Sequence, residues 1–151
     1  MQERVELRLS GSGGQGVILA GIILAEAALL EDKNALQTQS YGPEARGGAS
    51  KSEVIISTQE IDYPKVGKPN IVLALTQEAY DKYSRGMTDD GIAVIDASIN
   101  PGDTGNRKVF SVPILEVARV EIGKSIVSNI VALGALVKLT KVVSLEALEQ
   151  A

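Results

Sequence analysis

Residues 5–25 read VELRLSGSGGQGVILAGIILA, and the fold turns on how this stretch changes its period. Val5, Leu7 and Leu9 alternate with Glu6 and Arg8, the two-residue repeat of a strand with one face in a core. From Gly14 the alternation stops. Residues 17–31, VILAGIILAEAALLE, are apolar on nearly every side, with Glu26 and Glu31 as their polar marks. That predicts a helix buried against a sheet and ending near Asp32 to Asn34. Gly21 within it costs about 1 kcal/mol against alanine, and the expected return is close approach of helix to strand.

The pattern continues outward from this unit. Ala35–Tyr41 and Ala49–Ser57 read as second and third strands. The loop between them is too short for a crossover helix, whereas a parallel pair needs a connection of about a dozen residues, so these two strands are expected to run antiparallel. After DYPKVGKP, the continuous apolar run Asn70–Leu75 marks a strand covered on both faces. A helix follows, with Thr76 as N-cap, and runs to about Arg85 before Gly86. Ile92–Asp96 is another buried strand and Lys108–Ser111 a short one. Pro113 is placed in the first turn of a helix, SIVSNIVALGALVKL from Ser125 gives a long apolar helix, and SLEALEQA gives a capped one from Ser144. Strands alternating with helices, with no shift of composition, predict one domain over 1–151: a three-layer, Rossmann-like α/β fold, mostly parallel, with an antiparallel strand pair.

Composition removes whole classes of function. A net charge of −4 disfavours binding to nucleic acid or anionic lipid, and a chain with no Trp and one Phe has no platform for stacking bases. Without Cys or His the chain cannot by itself supply a disulfide, a thiolate nucleophile, an iron–sulfur cluster or a His-bound metal. The N-terminal MQERVELRL lacks the apolar run of a secretory signal. Val17–Ala25 and Ile130–Val137 are broken by glycine and fall short of the roughly 20 residues that span a bilayer. A soluble, cytoplasmic protein is expected.

GSGGQG, Gly11–Ser12–Gly13–Gly14–Gln15–Gly16, fits G-x-G-x-x-G between a strand and a helix. Glycine lets the backbone approach a ligand, and the amides and positive dipole at a helix start favour an anionic group. A dinucleotide site should also show an acid about 20 residues on, where Leu36, Gln37, Thr38, Gln39 and Ser40 stand instead. The Gly-Lys-Ser/Thr ending of a P-loop is missing too. Two readings stay open: a phosphate-binding loop, favoured by the donor and acceptor of Gln15, and glycines that merely permit tight strand-to-helix packing.

SYGPEARGG, residues 40–48, ends the second strand, which points to the same rim as the first. Arg46 there offers a forked, permanent cation for phosphate or carboxylate, with Glu44 to orient it and Gly47 and Gly48 to admit a ligand or partner backbone. The alternative is a surface turn whose Glu and Arg form a solvated ion pair worth at most about 1 kcal/mol.

Taken together, SGSGGQGVILAGIILAEAA, QTQSYGPEARGGASKSEVIIS, IDYPKV and LALTQEAYDKY resemble the gamma subunit, or equivalent domain, of the 2-oxoacid:ferredoxin oxidoreductases, most closely the 2-oxoglutarate type. The likeness runs from about Glu3 to the end. It implies one subunit, inactive alone and with no catalytic residue of its own, of an enzyme that decarboxylates a 2-oxoacid, passes electrons to ferredoxin and releases an acyl-coenzyme A. It implies thiamine diphosphate between alpha and beta partners, iron–sulfur clusters on other parts including a ferredoxin-like delta subunit, and a gamma chain concerned with assembly and coenzyme A. On that basis Gly11, Ser12, Gly13, Gly14, Gln15 and Gly16 form one cofactor loop, and Tyr41, Gly42, Pro43, Glu44, Arg46, Gly47 and Gly48 the other. Asn129 also matches and reads as a helix-packing hydrogen bonder.

The alternatives are a purely structural scaffold, and a gamma subunit of a pyruvate, branched-chain or indolepyruvate enzyme. Ala151 comes earlier than that family leads one to expect, which bears on subunit contacts more than on the loops. Self-association of the isolated chain is expected where partner-facing apolar surface is left open.

Overall fold

The alternation of Val5, Leu7 and Leu9 does make a strand, β1, but it spans Arg4–Ser12 and so runs on through the first glycine of the loop motif. The computed structural model describes residues 4–12, 16–39, 49–58, 61, 68–84, 86–88, 90–102, 105, 107–118 and 128–150. Gly11 and Ser12 are strand rather than loop, because the next antiparallel strand supplies partners for them: Gly11 pairs with Ser50 and Ser12 with Ala49. Helix α1 follows at Val17–Leu30, then β2 at Asn34–Gln39 and β3 at Ala49–Ser57. The rest of the chain gives β4 (Ile71–Ala74), α2 (Gln77–Tyr83), β5 (Ile92–Asp96), β6 (Lys108–Val112), α3 (Ile114–Glu116), α4 (Ser128–Thr140) and α5 (Leu145–Gln150).

One six-stranded sheet results, ordered β2-β3-β1-β4-β5-β6. β3 is antiparallel to β2, as the short connection requires, and antiparallel to β1 as well, so the expected antiparallel pair is one reversed strand with two antiparallel neighbours. β1 with β4, β4 with β5 and β5 with β6 are parallel. Pro113 sits at the N-cap of α3, one residue ahead of the first turn expected for it. At α2 the Thr76 Oγ1 accepts from the Ala79 N–H at 3.1 Å, the cap its sequence calls for.

The sheet has a helical layer on each side. Leu7, Leu9, Val54, Ile56, Leu73 and Val94 pack with Val17, Ala20, Leu24 and Ala28 of α1, Leu133 and Leu136 of α4 and Ala147 of α5. On the other face Val72, Ala74, Ala93 and Ile95 meet Tyr80 of α2, Met87 and Ile99. β1 therefore feeds a helix on one face and β4, its parallel neighbour, feeds a helix on the other. That divergence makes the gap between β1 and β4 the topological switch point of the sheet, where ligands of open α/β sheets lodge.

Gly21 is spent on contact between α1 and β3. A β-carbon built there would run into Ser52 Oγ and lie 3.1 Å from Ser52 Cβ. Ser52 cannot simply turn away, since it is fully buried and its Oγ accepts from Gln37 Nε2 at 3.0 Å. Gly21→Ala gains about 1 kcal/mol of helix propensity but forces α1 off the sheet, and overpacking of this kind costs about 1–3 kcal/mol. A net loss of up to about 2 kcal/mol in urea unfolding is expected, with most of it recovered when Ser52→Ala is added. A Gly21→Ala chain more stable than the parent would remove close packing as the reason for the glycine.

Candidate functional site

β1 and β2 point the same way, because β3 reverses between them. Their C-terminal ends thus lie on the rim where β4, β5 and β6 also end. Ser12, the last residue of β1, is paired with Ala49, the first of β3. The chain accordingly leaves β1 for the glycine loop directly beside the point where it enters β3 from the 40–48 loop. Gln39, the last residue of β2, pairs with Ser52 of the same β3 end. Gly13, Gly14, Gln15, Tyr41, Gly42, Pro43, Glu44, Arg46, Gly47 and Gly48 lie outside the described residues. It is the flanking strands that bring the origins of the two loops to one corner of the sheet.

The described end of the glycine loop is Gly16, the N-cap of α1, at φ 73° and ψ 27°. This is the left-handed region, unfavourable for a side chain. A β-carbon at Gly16 would also stand 2.7 Å from Asn129 Nδ2 and 3.0 Å from Asn129 Cγ. Asn129, at the start of α4 and 6% exposed, donates from Nδ2 to the Gly16 carbonyl at 3.3 Å and accepts on Oδ1 from the Ile130 N–H at 2.9 Å. The expectation of a packing hydrogen bonder is therefore met, and its object is the head of α1. The same Gly16 carbonyl accepts from Ala20 N–H at 3.0 Å, so the first turn of α1 is tied to α4.

Gly16 has no side chain with which to cap α1, and the first turn holds no acidic residue. Among the described residues the amides of that turn have no acceptor, and the helix dipole places partial positive charge at them. A bare backbone start beside a left-handed glycine suits an anionic oxygen and would repel a cation. A phosphate group such as those of coenzyme A fits this donor set.

Beside this corner the switch point is closed by hydrogen bonds. Ser10, fully buried, donates from Oγ to the Leu73 carbonyl at 2.9 Å, and its own carbonyl accepts from Leu75 N–H at 3.0 Å. At the end of β5 stands Asp96, 4% exposed, which the sequence reading did not single out. Its Oδ2 accepts from Ser98 N–H at 3.0 Å and Ser98 Oγ at 2.6 Å, and its Oδ1 from Leu115 N–H at 2.9 Å. Both oxygens are turned into the protein, so Asp96 ties the exit of β5 to the start of α3 and offers nothing to a ligand. The signal was a single acid closing an apolar strand in front of a polar turn. Gln77 likewise clamps the next loop to α2, giving Nε2–H to the Asn100 carbonyl at 3.0 Å and taking the Asn100 N–H on Oε1 at 2.7 Å.

A cavity of about 360 Å³ opens elsewhere, lined among others by Val5, Asn70, Gly91, Ile92 and Lys141. These residues start β1, β4 and β5 or follow α4, so the cavity is on the opposite rim and does not belong to the corner described above. Among the described residues no group of three or more His, Cys, Asp or Glu is placed to hold a metal ion, and no helix is long and apolar enough to cross a membrane.

Residues 6–151 match the family described as pyruvate ferredoxin/flavodoxin oxidoreductase. The sequence is 53% identical over 152 residues to the 2-oxoglutarate synthase subunit KorC of Methanocaldococcus jannaschii, covering 98% of this chain and 81% of that one. The fold superposes on the gamma subunit of a keto/oxoacid ferredoxin oxidoreductase from Geobacter sulfurreducens with a TM-score of 0.88 and 50% identity, over 99% of this chain and 83% of the other. It also superposes, with a TM-score of 0.89 and 22% identity, on a 2-oxoglutarate:ferredoxin oxidoreductase from Magnetococcus marinus with 2-oxoglutarate, coenzyme A and succinyl-CoA bound. That match covers 99% of this chain and 26% of the longer one.

Proposed function

Since the chain belongs to the pyruvate ferredoxin/flavodoxin oxidoreductase family, as a gamma-type subunit of a 2-oxoacid:ferredoxin oxidoreductase, we propose that it serves a 2-oxoglutarate enzyme and helps hold coenzyme A there. Its companions in this reading are alpha and beta subunits, a ferredoxin-like delta subunit and, as acceptor for the whole enzyme, ferredoxin, all in the cytoplasm. Thiamine diphosphate and iron–sulfur clusters on those companions supply the decarboxylation and the electron transfer. A chain with no Cys and no His has no thiolate or imidazole to bind a cluster.

Its contribution is to bind and orient. Coenzyme A carries a pyrophosphate and a ribose phosphate, and the uncapped start of α1 offers backbone donors for one such anion. Arg46 supplies a planar, permanently charged fork for a second, and Gln15 an amide that can donate or accept. The observation that supports this reading is the Ser12–Ala49 pairing, which sets the start of the glycine loop beside the end of the 40–48 loop.

The test is calorimetric titration of coenzyme A into the assembled enzyme. Arg46→Ala should weaken binding by about 10- to 100-fold, the loss of a charge-assisted contact, and Gln15→Ala by about 3- to 10-fold. Unchanged affinity in both variants would remove the ligand from these loops. If the variants instead fail to co-purify with their companions while residual complex binds coenzyme A normally, the loops serve subunit contact. Turnover of 2-oxoglutarate against pyruvate by the same complex decides the oxoacid.

A further inference from the structure

The cavity on the rim opposite the loop corner has a volume of about 360 Å³, within the range of small-molecule sites. Part of its lining is aliphatic. Ile56 and Ile71 are buried there, and Val5, Ile92 and Val142, partly buried, pack against the same core. Such a surface favours a hydrocarbon body over water.

The polar groups of the lining include donors and an acceptor. Asn70 accepts the Glu6 N–H on Oδ1 at 2.9 Å, which fixes the orientation of its amide and leaves Nδ2 with no acceptor among the described residues. Thr88 Oγ1 is buried with no hydrogen-bond partner, a state that folded interiors rarely leave uncompleted. Lys33 is engaged: its Nζ donates to the Val142 carbonyl at 3.0 Å and stands 3.6 Å from Glu31 Oε1. Lys141 and Asp90 are the other charges of the lining, and among the described residues neither joins an ion pair, with each other or with any other group.

Lys141 also holds a conformation that its side chain does not favour. It follows α4, where its N–H donates to the Val137 carbonyl at 2.8 Å, and its φ of 57° is left-handed. Helices commonly close on that conformation with glycine or asparagine, so a lysine there needs a reason beyond ending the helix.

Charge selects the ligand. A lone anion would meet Lys141 but also face Asp90, and a lone cation the reverse; a molecule that carries both charges satisfies both. We propose that this cavity binds a free aliphatic α-amino acid, its carboxylate toward Lys141 and the Asn70 amide, its ammonium toward Asp90 and its side chain against the isoleucines and valines. The site is separate from the loop corner and does not depend on the coenzyme A reading.

The probe is L-leucine, titrated into the full chain and followed by the amide resonances of Asn70, Gly91 and Val142. Saturable shifts centred on this rim are expected. Leucine should bind about tenfold tighter than isocaproate, which lacks the ammonium, and than isoamylamine, which lacks the carboxylate. Glycine, with both charges and no side chain, should bind at least as poorly as these. Asp90→Asn should erase the advantage of leucine over isocaproate, and Lys141→Asn its advantage over isoamylamine. Asparagine suits a φ of 57°, so Lys141→Asn should unfold at no lower urea concentration than the parent, which separates lost affinity from lost folding. If either variant fails to fold, the other decides. No shift with leucine, equal binding of glycine or of either truncated probe, or parental leucine affinity in the variants overturns the proposal.

Discussion

Gly16→Ala is expected to cost about 2–5 kcal/mol of stability and to weaken coenzyme A binding to the assembled enzyme at least tenfold. Two independent terms add at this residue. Its φ of 73° lies in the left-handed region, where a β-carbon costs about 1–2 kcal/mol. The new methyl would also press on the Asn129 amide, 2.7 Å from Nδ2. For Asn129 to yield, it must give up the Gly16 carbonyl and the Ile130 amide together, and an unsatisfied buried amide costs about 1–3 kcal/mol. The movement that relieves the clash displaces the backbone donors assigned to the phosphate, so stability and affinity should fall together. Asn129→Ala clears the space but loses the clamp. The double variant should therefore be less damaged than the two single losses added, which urea unfolding of all four chains would measure. Strict additivity, or a neutral Gly16→Ala, would show that the clamp does not exist.

The sequence was most legible where local chemistry leaves one choice. β3 and β5 occupy the spans expected for them, Ala49–Ser57 and Ile92–Asp96, the latter because it is a short apolar run bounded by turn residues. Thr76 and Ser144 cap their helices as their positions suggest, the latter accepting from Ala147 N–H at 3.0 Å. The reversal of β3 followed from the length of the loop before it, yet its place between β2 and β1 did not, since strand order is set by burial of whole faces. β1 extends into the glycine motif for the same reason: Gly11 and Ser12 carry no periodic signal, and the partners that make them strand lie nearly forty residues later. Asp96 was passed over because a buried carboxylate that only accepts backbone and hydroxyl bonds looks, in sequence, like any acid before a turn.

Of the site, the motifs were legible and their adjacency was inferred from strand direction, which the register supports for the loop ends. The clamp from Asn129 could be read only as far as a polar residue in an apolar helix. Its partner is 113 residues away in the chain. The same holds for Gly21, whose purpose was foreseen while its neighbour Ser52 was not.

Glu53→Ala should cost about 3 kcal/mol, through the pairing of β1 with β3 rather than through any direct contact with ligand. Arg8 and Glu53 are cross-strand partners on the α2 face. Arg8 donates from Nε to Glu53 Oε2 at 2.8 Å, its Nη2 is also 2.8 Å from that oxygen, and its Nη1 reaches the Tyr83 carbonyl at 3.2 Å. Their side chains are only 12% and 14% exposed, so the pair is screened little by water. Lys51 adds a weaker attraction, its Nζ standing 3.8 Å from Glu53 Oε1 and 5.6 Å from the centre of the Tyr83 ring. Among the described residues, removing the carboxylate leaves Arg8 with one carbonyl in a nearly dry layer. Replacing both residues, Arg8→Leu with Glu53→Leu, removes the stranded charge and should cost far less than Glu53→Ala alone. Four positions along the same two strands stands the Ser12–Ala49 pair, so Glu53→Ala should also loosen the corner and lower coenzyme A affinity, whereas the double leucine variant keeps it. Urea unfolding at low and high salt separates the cases: a loss that vanishes in 1 M salt belongs to a solvated pair, and one that persists belongs to the buried pair described by these distances.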